Sequence, residues 1–342
     1  MTGWLRNAPP FEARQALSDF LPRHFHCDDV EILTARMKEI GLDLELLQVQ
    51  PGPFHADCLL VPLEHLQLSR IRLSSPLLSL GSKPCNSFAI SLSLDPLQSG
   101  PLPLQSHGED LPEHAIYGLD PGREVHLLTP QGYGMVLLRV DQRVLLELAE
   151  SLGCPELESP FRQHNWLRLD PSRLEELRVF LIGLFQLAER QPEFLAALAQ
   201  RRQLASDLVP LLLEALIDSI ESHRGTRREP ARIDLVKQVE GWARANPTTP
   251  ITLEQLCCIA YASRRSLMRG FREHLGMGPM AFLKLRRLHG VHAALLRHEP
   301  EAVMVQDLAA HWGFHNAGHF ARDYRRHFGE LPLQTLRRAP VS

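Results

Sequence analysis

The chain has 342 residues, 44% of them apolar and 23% charged, with a formal net charge of −3. These values fit two ordinary globular domains and exclude a wholly disordered chain, a collagen-like repeat or a disulfide-stapled miniprotein. No stretch reaches the ~18 apolar residues of a membrane span, and Met1–Pro10 lacks a signal-peptide core, so neither membrane insertion nor export is expected. The six cysteines, at 27, 58, 85, 154, 257 and 258, lack paired zinc-type spacing and suit a reduced, cytoplasmic setting. The small net charge hides an asymmetry. Residues 231–342 carry 16 Lys and Arg against 9 Asp and Glu, whereas residues 1–230 carry 21 against 31. An acidic body with a basic tail suggests that the tail meets a polyanion.

In chain order, the first motif is His24-Phe25-His26-Cys27-Asp28-Asp29, whose side chains could ligate metal. No second histidine–glutamate group follows at cupin spacing. A loop with incidental histidines is therefore expected, with no metal site and no cofactor. Residues from about 42 to 140 read as strands. Phe88, Ile90, Leu92 and Leu94 alternate with Ala89, Ser91 and Ser93, the period of a strand with one buried face. Similar runs lie at 42–49, 57–61, 66–73, 115–119, 124–128 and 134–140. Turns are expected at Pro51-Gly52-Pro53, Gly81-Ser82-Lys83-Pro84 and Pro121-Gly122, and an exposed loop over Ser99–His114. Roughly eight short strands at this spacing predict a β-sandwich or barrel.

After residue 142 the pattern turns helical. Leu174, Leu177, Leu181, Leu184 and Leu187 form one stripe, and Leu204, Leu208, Leu211, Leu212, Ala215 and Leu216 form another. Both suit packing on the strands, and part of the second is a candidate dimer interface. The polar segment 222–230 reads as a linker. The expected division is an N-terminal regulatory and dimerisation domain over 1–221, the linker, and an all-α domain over 231–342.

The tail contains one unit twice. Ser263, Leu267, Phe271, His274, Gly276 and Pro279 are matched 53 residues later by Asn316, Phe320, Tyr324, His327, Gly329 and Pro332. Each copy reads as a helix-turn-helix. Thr252 caps a short helix running to about Ala260, and Ser263 caps a second with Leu267, Phe271 and Leu275 on one face. Gly276 ends it in the left-handed conformation, and Pro279 opens the next helix. In the second copy Gly313-Phe314 makes the turn and Asn316 the cap. Cys257 and Cys258 read as buried small residues rather than a redox pair.

With the apolar faces turned inward, the first unit shows Ser263, Arg264, Arg265, Ser266, Met268, Arg269 and Arg272. The second shows His315, Asn316, Ala317, Gly318, His319, Arg322, Arg325 and Arg326. Arginine forks match guanine edges and phosphates, and a helix of this width enters the major groove. One arginine-rich helix would be read as a solvated face; two in register point to DNA. The joining helix, Pro279 to about Arg297, would span ~28 Å at ~1.5 Å per residue. That approaches the roughly 34 Å between successive major-groove entries, and implies a footprint of roughly 17–20 base pairs.

These residues resemble the DNA-binding domain of the AraC/XylS transcription regulators. The carriers are Leu256, Ser263-Arg264-Arg265, Phe271, Gly276 and Pro279, then Trp312-Gly313-Phe314, Gly318, Phe320, Tyr324, Phe328-Gly329 and Pro332. The resemblance covers residues 231–338. It implies a promoter-binding regulator, usually an activator that touches RNA polymerase. It also implies a cupin-like N-terminal domain that senses a small molecule or mediates homodimerisation. Cys257 and Tyr261 depart from the commoner alanine and glycine. Together with Cys257, Gly276-Met-Gly-Pro279, Asp323-Tyr324 and Gly329-Glu-Leu-Pro332 with Thr335-Leu336 are similar to a subgroup holding the ethanolamine-operon regulator and regulators of quorum sensing and virulence. No nucleophile–base set, phosphate loop or paired carboxylates stands out, so no enzyme is expected. Two readings from other classes are an enzyme in the β-domain with a DNA-binding appendage, and an architectural protein without promoter preference.

Overall fold

The computed structural model describes residues 21–84, 87–95, 100–151, 161, 165–222, 232–298 and 303–338. The expected linker lies almost wholly outside these residues, as do Cys85 and Cys154. The N-terminal part is β-rich and the C-terminal part all-helical, as the pattern predicts.

Strands β1 (Arg23–Cys27), β3 (Ala56–Pro62), β4 (Leu66–Leu73), β6 (Ser87–Ser93), β9 (Ala115–Tyr117), β11 (Gly134–Asp141) and β12 (Trp166–Arg168) form one sheet, ordered β1-β3-β4-β11-β6-β9-β12. A second sheet is ordered β2-β5-β10-β7-β8, from β2 (Asp43–Gln48), β5 (Leu77–Ser82), β7 (Gln105–Ser106), β8 (Glu109–Asp110) and β10 (Val125–Thr129). The strand pairs are antiparallel.

Alternation along the strands creates the layers. Leu59, Val61, Leu68, Phe88, Ile90, Val136 and Leu138 face the helices α2 (Gln142–Ser151), α3 (Pro171–Arg190) and α4 (Leu198–Ser222). Those helices answer with Leu174, Leu177, Leu181, Leu208, Leu212 and Leu216. The expected packing of both leucine stripes on the strands is what the structure shows. On the other face, Cys58, Leu60, Ile71 and Leu73 meet Leu46 and Leu77 of the second sheet and helix α1 (Val30–Glu39). The outer face of the second sheet presents Leu47, Val49, Leu78, Leu80 and Leu128, which share a core with the C-terminal helices.

Several local expectations are corrected. His24–Cys27 is not a loop: it lies on β1, paired with β3, and Cys27 is buried. Only one side of this edge strand reaches the core, so its apolar signal is halved. Gly81-Ser82 ends β5 instead of turning. Gly81 has φ +156°, and a Cβ there would lie 2.1 Å from Asp43 O, so glycine serves the close approach of β2. The expected exposed loop over 99–114 contains β7 and β8, with Leu104, Ser106 and His107 buried. A strand, β12, interrupts the helical region. Ala89, Ser91 and Ser93 are as buried as their apolar neighbours because both faces of β6 are covered. Ser93 Oγ finds its partner in Tyr133 Oη at 2.8 Å, which satisfies a hydroxyl there.

Candidate DNA-binding surface

Helix α5 (Ile233–Ala245) turns Ile233, Val236, Val239 and Ala243 inward, the spacing of one helix face. It supports α6 (Leu253–Ile259) and α7 (Arg264–Leu275), the first helix-turn-helix. Thr252 and Gln255 cap α6 reciprocally. Ser263 Oγ accepts from Ser266 N–H at 3.2 Å at the start of α7, and Gly276 closes it at φ +66°. Helix α8 (Pro279–Arg297) has the predicted 19 residues. The second unit comprises α9 (Val305–His311) and α10 (Ala317–Phe328), followed by α11 (Pro332–Leu336). Asn316 Oδ1 accepts from His319 N–H at 2.9 Å, and Gly329 ends α10 at φ +80°.

The repeat is not uniform. The second helices, α7 and α10, correspond at 53 residues, whereas α6 and α9 correspond at 52. The second turn is therefore one residue longer, and Tyr261 is the counterpart of Gly313. Both adopt positive φ, +47° and +85°. Cys257 is half-buried, and Cys258 is exposed rather than buried, because α6 turns it to solvent.

Ser263, Arg264, Arg265, Arg269 and Arg272 are exposed, while Ser266 and Met268 are half-buried. His315, Asn316, Ala317, Gly318, His319, Arg322, Arg325 and Arg326 are all exposed. Among the described residues, Arg264, Arg265, Arg272, Arg322, Arg325 and Arg326 make no ion pair. Arg269 differs: its Nε lies 2.6 Å from Glu273 Oε1, which also meets Arg232. Lys284 of α8 pairs with Asp323 of α10 at 2.6 Å, tying the spacer to the second unit. These faces are thus basic, rigidly capped and open.

The opposite faces are fastened to the β-domain by polar residues that local sequence pattern does not disclose. His126 Nε2 lies 3.1 Å from Glu240 Oε2, both buried. Arg286 grips Glu45 with contacts of 2.6 and 2.8 Å. At the second unit Asp29 receives His292 Nε2 at 2.8 Å and Arg338 Nη1 at 2.9 Å. Burial works against the Asp29 carboxylate, but the hydrogen bond and charge of His292 hold it below its usual range. His292 Nδ1 reaches Tyr324 Oη at 2.6 Å, and Tyr324 donates to Thr335 Oγ1 at 2.8 Å. The partners are far apart in sequence, so no local spacing pairs them.

Between the two sheets lies a cavity of about 80 Å³ lined by Leu33, Met37, Leu73, Tyr117, Met135 and Lys83, among others. Lys83 Nζ donates to Gly118 O at 3.2 Å and also to Asp120 O. Burial pushes its ammonium pKa down to about 8. The cavity could hold a small apolar group beside one cation.

The helix-turn-helix domain family matches residues 256–338. A probable thc operon regulatory protein from Rhodococcus erythropolis is 30% identical over 216 residues, 62% of this chain and 64% of that protein. XylDLEGF operon transcriptional activator 2 from Pseudomonas putida is 34% identical over 125 residues, 36% of this chain and 77% of that protein. The chain spans less than two thirds of the Rhodococcus protein and 37% of XylDLEGF operon transcriptional activator 1. A solved probable AraC family transcriptional regulator from Rhodopseudomonas palustris is 42% identical, covering 31% of this chain and 98% of its own, with a TM-score of 0.29. Among the described residues, no helix is long and apolar enough to cross a membrane.

Proposed function

The chain belongs to the AraC family of transcription regulators, and on that premise we propose that it is a promoter-specific activator reading two successive major grooves with α7 and α10. The observation that carries this reading is the pair of capped helices whose exposed arginines, Arg269 apart, make no ion pair among the described residues. Arg264, Arg265, Arg272, Arg322, Arg325 and Arg326 supply phosphate attraction and base-edge contacts, with Ser266, Met268, His315, Ala317, Gly318 and His319 beside them. Ser263 and Asn316 fix the helix starts. Arg269, held by Glu273, contributes less.

RNA polymerase is the further partner of an activator, and the cytoplasm its place. The homodimer belongs to the same reading. Val179 and Ile182 of α3 are 62% and 42% exposed on the side away from the buried leucines, and a second copy would cover them. The cavity beside Lys83 is the place for a small-molecule effector. The subgroup likeness rests largely on Gly276, Pro279, Tyr324, Gly329 and Pro332, which cap helices or fill cores and so carry no information on effector or target gene.

The test is genome-wide DNA capture with the purified protein at physiological salt, beside an Arg265→Ala/Arg322→Ala control. Sharp peaks upstream of genes, lost in the control, are expected. Each single variant should weaken operator binding about 5- to 150-fold, equivalent to ~1–3 kcal/mol, with unchanged thermal stability. Diffuse binding that barely separates operator from random duplex would favour an architectural role instead. Unchanged binding by both variants would defeat the assignment of these faces.

A further inference from the structure

At the free edge of the large sheet the helical cover runs out. Leu59 and Val61 of β3 lie under α3 and α4, but two residues earlier the same strand face carries Asp57. The β1–β3 register sets His26 opposite Asp57 and His24 opposite Leu59. Period-two alternation therefore places both imidazoles on the side of the carboxylate, while Cys27 turns into the core. His24 Nε2 lies 2.8 Å from Asp57 Oδ2, and His26 Nδ1 lies 3.0 Å from the same oxygen. All three ligand atoms fall within 4.8 Å of one another, the one such group of three among the described residues.

We propose that His24, His26 and Asp57 bind a divalent transition-metal ion of the zinc class. Two imidazole nitrogens and one carboxylate oxygen are a donor set that Zn²⁺ takes in tetrahedral geometry. Bonds of ~2.0–2.1 Å put tetrahedral ligand atoms roughly 3.3 Å apart. The two histidine–aspartate contacts need to open by only a few tenths of an ångström, with the ion replacing the proton between each pair. The histidines stand two apart on an edge strand, a chelate that the backbone has already aligned. The fourth position opens to water, because the His26 side chain is 76% exposed.

The surroundings hold the carboxylate in place. Arg70 Nη2 lies 3.4 Å from the other oxygen of Asp57 and 2.6 Å from Glu189 Oε1. That oxygen is thereby oriented, as partners behind metal ligands do, and Glu189 balances the charge of Arg70. Arg72, across the strand pair from Asp57, is exposed, so water screens its repulsion of a cation.

The experiment is equilibrium dialysis of the chelator-treated full chain against Zn²⁺ at pH 7.5, repeated with His24→Ala/His26→Ala and with Asp57→Asn. The wild type should bind one more equivalent than the double histidine variant. Asp57→Asn should weaken that equivalent at least about tenfold. Comparison with the variant removes ions held elsewhere, for example at the exposed Cys258. Because His26 is largely exposed, His26→Ala alone preserves the fold if another variant fails to express, and it too should weaken binding by about tenfold. Equal stoichiometry and affinity in wild type and histidine variants would overturn the proposal, as would a wild type that takes up no Zn²⁺.

Discussion

His292 on the spacer helix α8 and Asp29 at the N-cap of α1 meet at 2.8 Å with both side chains buried, joining residues 263 positions apart. The same carboxylate accepts Glu31 N–H at 2.9 Å. One group thus starts a helix in the β-domain and holds the helix between the two helix-turn-helix units. Asp29→Asn keeps the cap but removes the charge facing His292 and Arg338. The variant should lose about 3 kcal/mol, the cost of breaking a buried pair. Urea denaturation measures this, and a loss under about 0.5 kcal/mol would mean that the contact is dispensable.

Acid should destabilise the protein through its buried neutral imidazoles. Burial depresses His327 to about 4 and His107 to about 2, and lowers His289 as well. His289 and His327 face each other through their Nε2 atoms at 3.3 Å, so both cannot be protonated without repulsion. When unfolded these groups titrate near ~6.5. As pH falls below that value the unfolded state takes up protons that the folded state refuses, so stability drops. The His327 contribution is lost between about 6.5 and about 4 and is level above that window. By pH 5 the loss from His327 amounts to about 2 kcal/mol. Thermal melts at pH 7.5, 6 and 5 should fall by several degrees, with a shallower slope in His327→Gln.

Gly290 lies on α8 beneath the ring of Trp312, at the turn of the second unit. A Cβ there would come within 2.1 Å of the indole. Gly290→Ala therefore overpacks the site and should cost ~1–3 kcal/mol despite alanine's better helix propensity. An unchanged denaturation midpoint would mean that Trp312 moves aside freely.

Tyr261 holds φ +47° with its side chain 93% exposed, so no packing offsets the left-handed backbone. Glycine should be the better residue, as Gly313 is in the second turn. Tyr261→Gly is expected to exceed Tyr261→Ala in stability by about 1 kcal/mol. The reverse order would show that the strain at this position is negligible.

The two helix-turn-helix units were legible because their determinants are local. Thr252, Ser263 and Asn316 cap helices within three residues of themselves. Gly276 and Gly329 stop helices by a conformation that costs them no Cβ clash, and Pro279 starts one of the predicted length. The same short range exposed the arginine faces and the alternation of β6.

What the sequence by itself determined is therefore the pair of helix-turn-helix units, the β-rich N-terminal part and the leucine-striped helices between them. Tertiary structure alone decided which strands are neighbours, why Ser91 and Ser93 are buried, and that β1 is a strand at all. It also decided which of the many histidines find carboxylates. His126 meets Glu240, His292 meets Asp29, and His24 and His26 converge on Asp57. Such pairings depend on sheet register and on the docking of one domain against another. Neither leaves a period in the chain, because the cost of burying a charged or polar group is met by a partner tens to hundreds of residues away.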